Sequence, residues 1–183
     1  MSEGTDSPWV RQSRSTAYEN PWIVVHHDEV TRPDGSPGIY GVVHFRARAV
    51  AAVVLDEHDQ VLLVGQYRYT LDRYSWEIPE GGSPFQESPL AGIQRELAEE
   101  TGYTAARWRE LIGFTISNSV TDEVGIAFVA TDLTEGPADP DATEDLQMRW
   151  VPFDTALSMI GSGEIHDVIS QAALLAWARE RPS

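Results

Sequence analysis

Three glutamates between residues 96 and 100 are the side chains of this chain best suited to chemistry. Glu96, Glu99 and Glu100 share one side of a helix, in which successive residues turn by about 100°. Like charges one turn apart repel, so a helix gains nothing from this cluster unless a cation lies against it. Carboxylate oxygens are ligands that Mg²⁺ prefers. The cluster therefore predicts a divalent metal site, and the alternative is a solvated acidic face.

The flanking residues predict the helix that carries these glutamates. Ser88 followed by Pro89 is a helix start, because the serine hydroxyl accepts from a free N–H of the first turn and proline at the first position loses no hydrogen bond. Gly102 marks the end, because glycine turns left-handed without strain. The apolar residues at helical spacing, which should face the core, are Leu90, Ile93 and Leu97.

The whole stretch from Gly81 to Tyr103 follows a fixed pattern. It runs Gly81, five residues, Glu87, seven residues, Arg95-Glu96-Leu97, one residue, Glu99-Glu100, one residue, Gly102 and the bulky apolar Tyr103. Every fixed position of the Nudix box is filled: glycine, glutamate, the Arg-Glu pair, the Glu-Glu pair, glycine and the apolar sites. The chain therefore resembles the Nudix hydrolase superfamily.

This resemblance implies roles for the residues of the box. Glu96, Glu99 and Glu100 would hold Mg²⁺, for which Mn²⁺ can substitute, and the backbone carbonyl of Glu80 would supply a further ligand. Glu87 lies before the helix, where it can fold back and pair with Arg95. In that interpretation Gly81, Glu87, Arg95 and Gly102 are structural. The alternative for the carboxylates is a degenerate Nudix domain that does not hydrolyse.

Two glutamates compete for the role of general base. In members that resemble the ADP-ribose class, a glutamate in the loop before the last strand positions or activates the attacking water, and Glu144 stands there in this chain. The alternative is that Glu144 is a solvated surface residue in an acidic loop and has no catalytic role. Glu99 is the rival candidate, either as the base or as a ligand of the ion that activates the water.

Two residues outside the box are candidates for substrate binding. The segment Gln66-Tyr67-Arg68 resembles a Gln-x-Arg segment of ADP-ribose pyrophosphatases whose arginine meets substrate phosphate. An arginine fork suits that task, and the alternative for Arg68 is a surface ion pair. Glu123 ends the SNSVTDE loop, where such enzymes carry an acidic residue near the substrate.

The substrate is predicted less firmly than the reaction. ADP-ribose pyrophosphatases usually carry a proline in the loop that here reads Ser117-Asn118-Ser119-Val120. The turn before the box reads Pro-Glu-Gly-Gly, where alanine is common in the second place. Neither difference touches the metal cluster. ADP-ribose is the first choice, other nucleoside diphosphate sugars follow, and dinucleotides come after them.

Composition excludes several other classes of function. The chain has 183 residues, 42% of them hydrophobic, which fits one ordinary globular domain. With 13 Lys+Arg against 29 Asp+Glu, its net charge of −16 repels phosphate backbones and disfavours nucleic-acid binding. Zero cysteines exclude disulfides and an isopentenyl-type isomerase on the same fold, which needs a catalytic cysteine. Neither a signal peptide nor an 18-residue apolar run is visible, so no membrane contact and a cytoplasmic location are expected.

The order of elements predicts an α+β fold, and the resemblance implies a mixed β-sheet between helices with an N-terminal β-hairpin extension. Residues 1–16 are expected to be a polar lead-in, residues 17–46 a hairpin region and residues 47–183 the Nudix domain. Further strands are predicted at 47–55, 60–66, 76–78, 108–116, 123–132 and 146–151. Helices are predicted at 153–160, opened by Asp154, and at the end of the chain, opened by Asp167 or a neighbour.

These observations lead to two hypotheses of different class. The first is a Mg²⁺-dependent hydrolase that cuts the pyrophosphate of a nucleoside diphosphate linked to a sugar-like group, releasing a nucleoside monophosphate and a sugar phosphate. The second is a sensor that binds such a nucleotide without cutting it. The hairpin resembles the N-terminal strand region with which ADP-ribose pyrophosphatase-like members build a homodimer, so a homodimer is expected.

Overall fold

The computed structural model describes residues 7–138 and 146–181. It divides into two units. The first is drawn from Met1–Ala47 and Thr115–Glu123, and the second from Arg48–Phe114 and Val124–Ser183.

The first unit is built on a three-stranded antiparallel sheet. Its strands are β1 (Val10–Glu19), β2 (Ile23–Thr31) and β3 (Pro37–Phe45), in the order β1-β2-β3. The predicted hairpin is confirmed as β2 and β3, which pair from Ile23↔Phe45 to Thr31↔Pro37. Its turn contains Gly35 at φ 83°, a backbone conformation that glycine adopts without strain.

The structure differs from the expected lead-in from Val10 onward. Residues 10–16 belong to β1, which pairs with β2 although all ten of its residues are exposed. The segment has no apolar alternation, so its sequence carries no strand signal. Its pairing is supported instead by cross-strand contacts, among them the ion pair of Arg14 with the buried Asp28.

The part of the second unit that the structure describes forms two sheets. The four-stranded sheet has the order β7-β4-β9-β8, and the three-stranded sheet has the order β10-β5-β6. Strands β4 and β9 run parallel, whereas β5 pairs antiparallel with β10 and β6. The strands are β4 (Ala47–Val54), β5 (Gln60–Arg68), β6 (Arg73–Glu77), β7 (Glu80–Pro84), β8 (Tyr103–Thr115), β9 (Val124–Glu135) and β10 (Gln147–Pro152).

Among the described residues, three α-helices accompany these sheets, namely α1 (Pro89–Thr101), α2 (Phe153–Ser162) and α3 (Val168–Glu180), together with a short 3-10 helix at Tyr69–Leu71. Alternate residues of a strand point to opposite faces, and in β4 both sets are buried. One face packs with Ile93 and Leu97 of α1. Helix α3 contacts the neighbouring strand β9 and buries Ile169, Ala173 and Leu174.

This mixture of sheets and helices confirms the α+β class. Within the described ranges, no helix has both the length and the apolar character that crossing a membrane requires.

Candidate active site

Helix α1 begins and ends where its flanking residues predict. The Ser88 side chain accepts from Ala91 N at 3.2 Å, and Pro89 occupies the first helical position. Gly102 is left-handed at φ 74°, and its N–H donates to Ala98 O at 2.9 Å. Ile93 and Leu97 are fully buried, whereas the third predicted core residue, Leu90, remains 37% exposed. The buried pair fixes which way the adjoining acidic side of α1 points, and Glu100 is buried with that pair.

Two glycines, Gly81 of β7 and Gly92 of α1, allow the strand to lie directly against the helix. A Cβ atom on Gly81 would overlap the Glu96 carboxylate, and one on Gly92 would overlap the Ser83 side chain. Such overlaps are closer than real carbon atoms approach. Glycine at these two positions therefore brings the start of β7 within contact distance of the glutamates on α1.

Arg95 ties the loop before α1 to the acidic side of the helix. Its Nη2 donates to Glu87 Oε2 at 3.2 Å and to Gly82 O at 2.9 Å, and its Nη1 donates to Glu96 at 2.9 Å and to Glu99 at 3.0 Å. Hydrogen bonding with Glu87 is the first cause that raises the pKa of Arg95, and the same contact lowers the pKa of Glu87. The predicted Glu87–Arg95 pair is thus present.

The three glutamates of the cluster differ in their access to water. Glu100 is 6% exposed, the Glu96 side chain is 16% exposed, and the Glu99 side chain is 46% exposed. Glu100 and Glu96 therefore lie in a region of low dielectric, where an uncompensated negative charge is costly. Glu99 is open enough to meet a water molecule or a substrate.

A second charged group lies where β5, β6 and β7 meet. Arg68 Nε donates to both carboxylate oxygens of Glu77 at 3.0 Å, and Arg68 Nη2 contacts Glu77 Oε2 and, at 3.1 Å, Glu80 Oε1. Glu77 is 3% exposed, and the Glu80 side chain 12% exposed. Arg68 is thus a partly buried ion-pair partner rather than a simple surface one.

The Glu80 carboxyl group has a strongly raised pKa. Burial raises its pKa well above the ordinary value, and the charges of Asp167, Glu77 and Glu100 act in the same direction, whereas Arg68 opposes them. Its Oε2 atom is buried and has no hydrogen-bond partner among the described residues. Such a group gains from a cation or a further donor.

The donor chemistry of this region fits a divalent cation. In residues 7–138 and 146–181, His, Asp and Glu side chains form no group of three or more at metal-ligand geometry. The Arg95 guanidinium lies between Glu96 and Glu99 instead. Carboxylates still outnumber the guanidinium groups of Arg68 and Arg95; they are Glu77, Glu80, Glu87, Glu96, Glu99, Glu100 and Asp167. Hard oxygen donors with an excess of negative charge suit Mg²⁺.

Comparison with known families decides where this chain belongs. The family profile described as the NUDIX domain matches residues 45–171. The chain belongs to the Nudix family. A second profile, the nucleoside diphosphate sugar hydrolase N-terminal domain, matches residues 9–43, which contain most of the three-stranded sheet of the first unit.

Individual Nudix relatives extend over most of the chain. It is 33% identical to an ADP-ribose pyrophosphatase of Mycobacterium tuberculosis, over 90% of this chain and 80% of that protein. It is 29% identical to a CMP-5'-(N-acetyl-N-hydroxy-3-aminopropyl)phosphonate hydrolase of Streptomyces rubellomurinus, over 85% and 75% of the two chains. A crystal structure of an ADP compounds hydrolase matches with a TM-score of 0.83 at 20% identity, covering 94% of this chain and 92% of that one.

These likenesses confirm the fold and the class of enzyme. The solved structure shows the same α+β Nudix fold, and family membership makes this chain a pyrophosphohydrolase. The prediction of a Nudix enzyme closest in organisation to ADP-ribose pyrophosphatase-like hydrolases is confirmed.

The predicted site residues of this Nudix enzyme do not all lie in the same part of the structure. Glu96, Glu99 and Glu100 lie on α1 beside Glu80 and Gly81 of β7, and Arg68 joins them through Glu80. Glu123 belongs to the first unit, where its carbonyl accepts from Ile116 N at 3.1 Å. Glu144 lies outside the described residues. The metal-binding, catalytic and substrate-binding roles of all these residues stay predictions.

Sequence reasoning missed three groups at this site. They are the carboxylates of Glu77 and Asp167 and the side chain of Glu80, of which only the carbonyl was expected to act. Glu77 lies between Trp76 and Ile78, and an acid between two large apolar residues of a strand is a signal that could have been used. Asp167 was predicted correctly to open the last helix, where it accepts from Ser170 N at 2.7 Å.

Proposed function

We propose that this Nudix enzyme hydrolyses the pyrophosphate bond of a nucleoside diphosphate linked to a sugar-like group, with ADP-ribose as the first-choice substrate. Water attacks one phosphorus, the bond to the bridging oxygen breaks, and the products are a nucleoside monophosphate and a sugar phosphate. The reaction consumes one water and needs no other reactant.

One observation carries this proposal, namely the convergence of β7 on the acidic side of α1. Gly81 lets the strand reach the Glu96 carboxylate, and the buried Glu100 and Glu80 are close enough for their charges to interact. This arrangement is hard to stabilise unless cations compensate its negative charge. A binding surface for an anion alone would not be built from carboxylates.

The residues that would hold Mg²⁺, or Mn²⁺ in its place, are Glu96, Glu99 and Glu100 with the carbonyl of Glu80. When bound, such a cation neutralises phosphate oxygens and lowers the pKa of a water ligand. Arg95 would hold the glutamates of α1 against β7, because it donates to Glu96, to Glu99 and to the carbonyl of Gly82 in β7. Glu99, being half exposed, could take the proton from the attacking water, and Glu144 is the alternative base.

Arg68 is proposed to bind the substrate phosphate. Its guanidinium stays charged at any pH the protein meets, and its pairing with the buried Glu77 fixes its direction. A fixed cation beside a developing phosphoryl charge stabilises the transition state without reorganisation. Glu123 is retained as a candidate contact for the rest of the substrate.

The choice of ADP-ribose is supported by relatives. Relatives of similar identity are named for an ADP-linked sugar and for a CMP-linked phosphonate. Both names describe a nucleotide joined to a second group through phosphorus. The proposal therefore fixes the nucleoside-diphosphate-like part of the substrate more strongly than its base or its sugar.

A substrate panel tests the proposal. ADP-ribose, other nucleoside diphosphate sugars and dinucleotides would be incubated with Mg²⁺ or Mn²⁺ in ¹⁸O-labelled water, and the products analysed by mass spectrometry. We expect a nucleoside monophosphate and a sugar phosphate, with one label on the phosphate that was attacked. Nucleotide binding in calorimetry without any hydrolysis would contradict the proposal and favour a sensor.

A further inference from the structure

Arg68 stands between two carboxylates that hold it very differently. It ends β5, Glu77 ends β6, and Glu80 begins β7. Glu77 accepts from both Nε and Nη2 of the guanidinium and is almost fully buried. This two-point contact sets the plane and the direction of the Arg68 fork.

Glu80 makes a weaker, one-point contact with the same fork. Its Oε1 accepts from Nη2 at 3.1 Å, and its Oε2 has no hydrogen-bond partner among the described residues. The Nη2 group is therefore shared between the anchoring Glu77 and a second, less firmly bound carboxylate. A phosphate oxygen that approached Nη2 would meet the Glu80 carboxylate already in place.

We propose that Glu80 is an internal competitor of the substrate. In the free protein its carboxylate accepts from Nη2 of Arg68, the same group that would donate to a substrate phosphate. This inference rests on the proposed role of Arg68 in phosphate binding. Glu80 acts through Arg68 and is therefore a positioning residue that raises KM, whereas Glu77 is the positioning residue that lowers it.

Competition predicts opposite effects for the two carboxylates. In Glu80→Ala the Nη2 group of Arg68 loses this partner, so KM for ADP-ribose should fall by about threefold to fivefold, the size expected for one ion pair whose arginine is partly exposed. Glu80→Gln keeps the shape of the side chain and a neutral acceptor, so its KM should lie between those of the wild type and Glu80→Ala. In Glu77→Gln the fork loses its charged anchor, and KM should rise. Glu80→Ala and Glu80→Gln both keep the backbone carbonyl of residue 80, so the proposed metal ligand is retained.

The loss of a negative charge must be distinguished from the loss of competition for Arg68. Removing any carboxylate near the site reduces repulsion of an anionic substrate. Two controls address this point. Glu57→Gln removes a charge from a side chain that is 86% exposed and forms none of these contacts with Arg68. A double-mutant cycle with Arg68→Ala then isolates the part of the Glu80 effect that passes through Arg68.

The experiment measures two quantities for each variant. The first is the pair kcat and KM for ADP-ribose in saturating Mg²⁺. The second is the Kd of ADP in EDTA by calorimetry, which needs no turnover and no metal. We expect Glu80→Ala to tighten ADP binding threefold to fivefold in the Arg68 background and not in the Arg68→Ala background, while Glu57→Gln changes neither quantity.

Two results would overturn the inference. One is an unchanged or higher KM in Glu80→Ala together with unchanged ADP binding. The other is equal tightening with and without Arg68, which would show that charge alone is responsible. A wild-type protein that hydrolysed none of the panel would instead defeat the proposed function, and the ADP measurement would still decide whether Glu80 competes for Arg68.

Discussion

The Glu96 carboxylate lies where a side chain on Gly81 would project. We expect Gly81→Ala to displace the carboxylate or separate β7 from α1. In either case the residues proposed to hold the cation move apart, and kcat should fall by about 10-fold to 100-fold, because small displacements of catalytic groups are amplified in rate. Steady-state kinetics with ADP-ribose and Mg²⁺ measures this loss.

The control for Gly81 is Gly161→Ala. Gly161 lies in α2, and a methyl group there would meet no atom within 4 Å. Alanine in a helix is favoured over glycine by about 1 kcal/mol, so this variant should be as active and at least as stable as the wild type. Equal activity of the Gly81 and Gly161 variants would show that the close approach of β7 to α1 has no catalytic importance.

The Arg14–Asp28 pair makes the stability of the folded protein depend on pH in the acidic range. Arg14 donates to the buried Asp28 at 2.7 Å and 2.6 Å, and this hydrogen bonding lowers the pKa of Asp28. Because the folded pKa lies below the unfolded one, the pair's stabilisation is complete above about pH 4 and is lost as pH falls through the folded pKa. Arg14→Ala should therefore destabilise the protein by about 1–3 kcal/mol at pH 7.

Urea unfolding between pH 2 and pH 7 measures this difference, which should shrink as the solution becomes acidic. The matched control is Arg11→Ala, since Arg11 lies on the same strand and acts on Asp28 through charge alone. Its effect should be much smaller at every pH. A difference between Arg14→Ala and wild type that did not change with pH would contradict the assignment.

At the residue scale, the spacing of the box predicted the acidic cluster and the Glu87–Arg95 pair because both depend on local sequence. It did not predict that Glu77, Asp167 and the side chain of Glu80 would join the site. These three come from two strand ends and a helix start, and only the packing of distant segments brings them together. Arg68 was predicted as a candidate, but its two carboxylate partners were not.

At the scale of elements, α1 depends on its glycine stop as much as on its buried face. Gly102 has φ 74°, and a Cβ atom there would overlap the Gly136 carbonyl. Gly102→Ala should thus combine left-handed strain of about 1–2 kcal/mol with a steric clash. Because Glu99 and Glu100 occupy the last turn of α1, activity should fall with stability.

The control for Gly102 is another helix end in the same chain. Gly163 follows α2 at φ 79°, and a methyl group there would meet no atom within 4 Å. Gly163→Ala therefore reports the backbone strain alone. Thermal unfolding should show a larger loss for Gly102→Ala than for Gly163→Ala, and equal losses would mean that the contact with Gly136 contributes nothing.

Helices with strong end signals were predicted more accurately than elements that depend on partners. Ser88, Pro89 and Gly102 bound α1 as expected, and Asp167 caps α3. The helix predicted at 153–160 starts at Phe153 as expected, but its N-cap is Pro152, and Asp154 lies in the first turn. Strand β1 has no apolar pattern and forms through pairing with β2, while β8 starts at Tyr103 rather than at residue 108.

At the scale of the whole molecule, the exposed apolar residues of the first unit support the proposed homodimer. Trp22 is 72% exposed and Ile39 63% exposed, and all ten residues of β1 are exposed. Large exposed apolar side chains favour association. We expect sedimentation at micromolar concentration to give twice the chain mass.

A pair of variants locates the dimer surface. Trp22→Glu should shift the protein towards the monomer, because it places a charge in the proposed interface. Tyr69→Glu is the matched control, since Tyr69 is 92% exposed and belongs to the second unit. A wild-type monomer, or an equal shift in both variants, would contradict the placement of the interface in the first unit.

The central claim is that the box carboxylates perform pyrophosphate hydrolysis, and turnover of Glu100→Gln tests it most directly. Glutamine keeps the size of the buried side chain and removes its charge. With ADP-ribose in saturating Mg²⁺, ³¹P NMR should show conversion to AMP and ribose phosphate by the wild type. The variant should be slower by at least about 100-fold, with an unchanged circular dichroism spectrum. Full turnover by a folded Glu100→Gln protein would contradict the account.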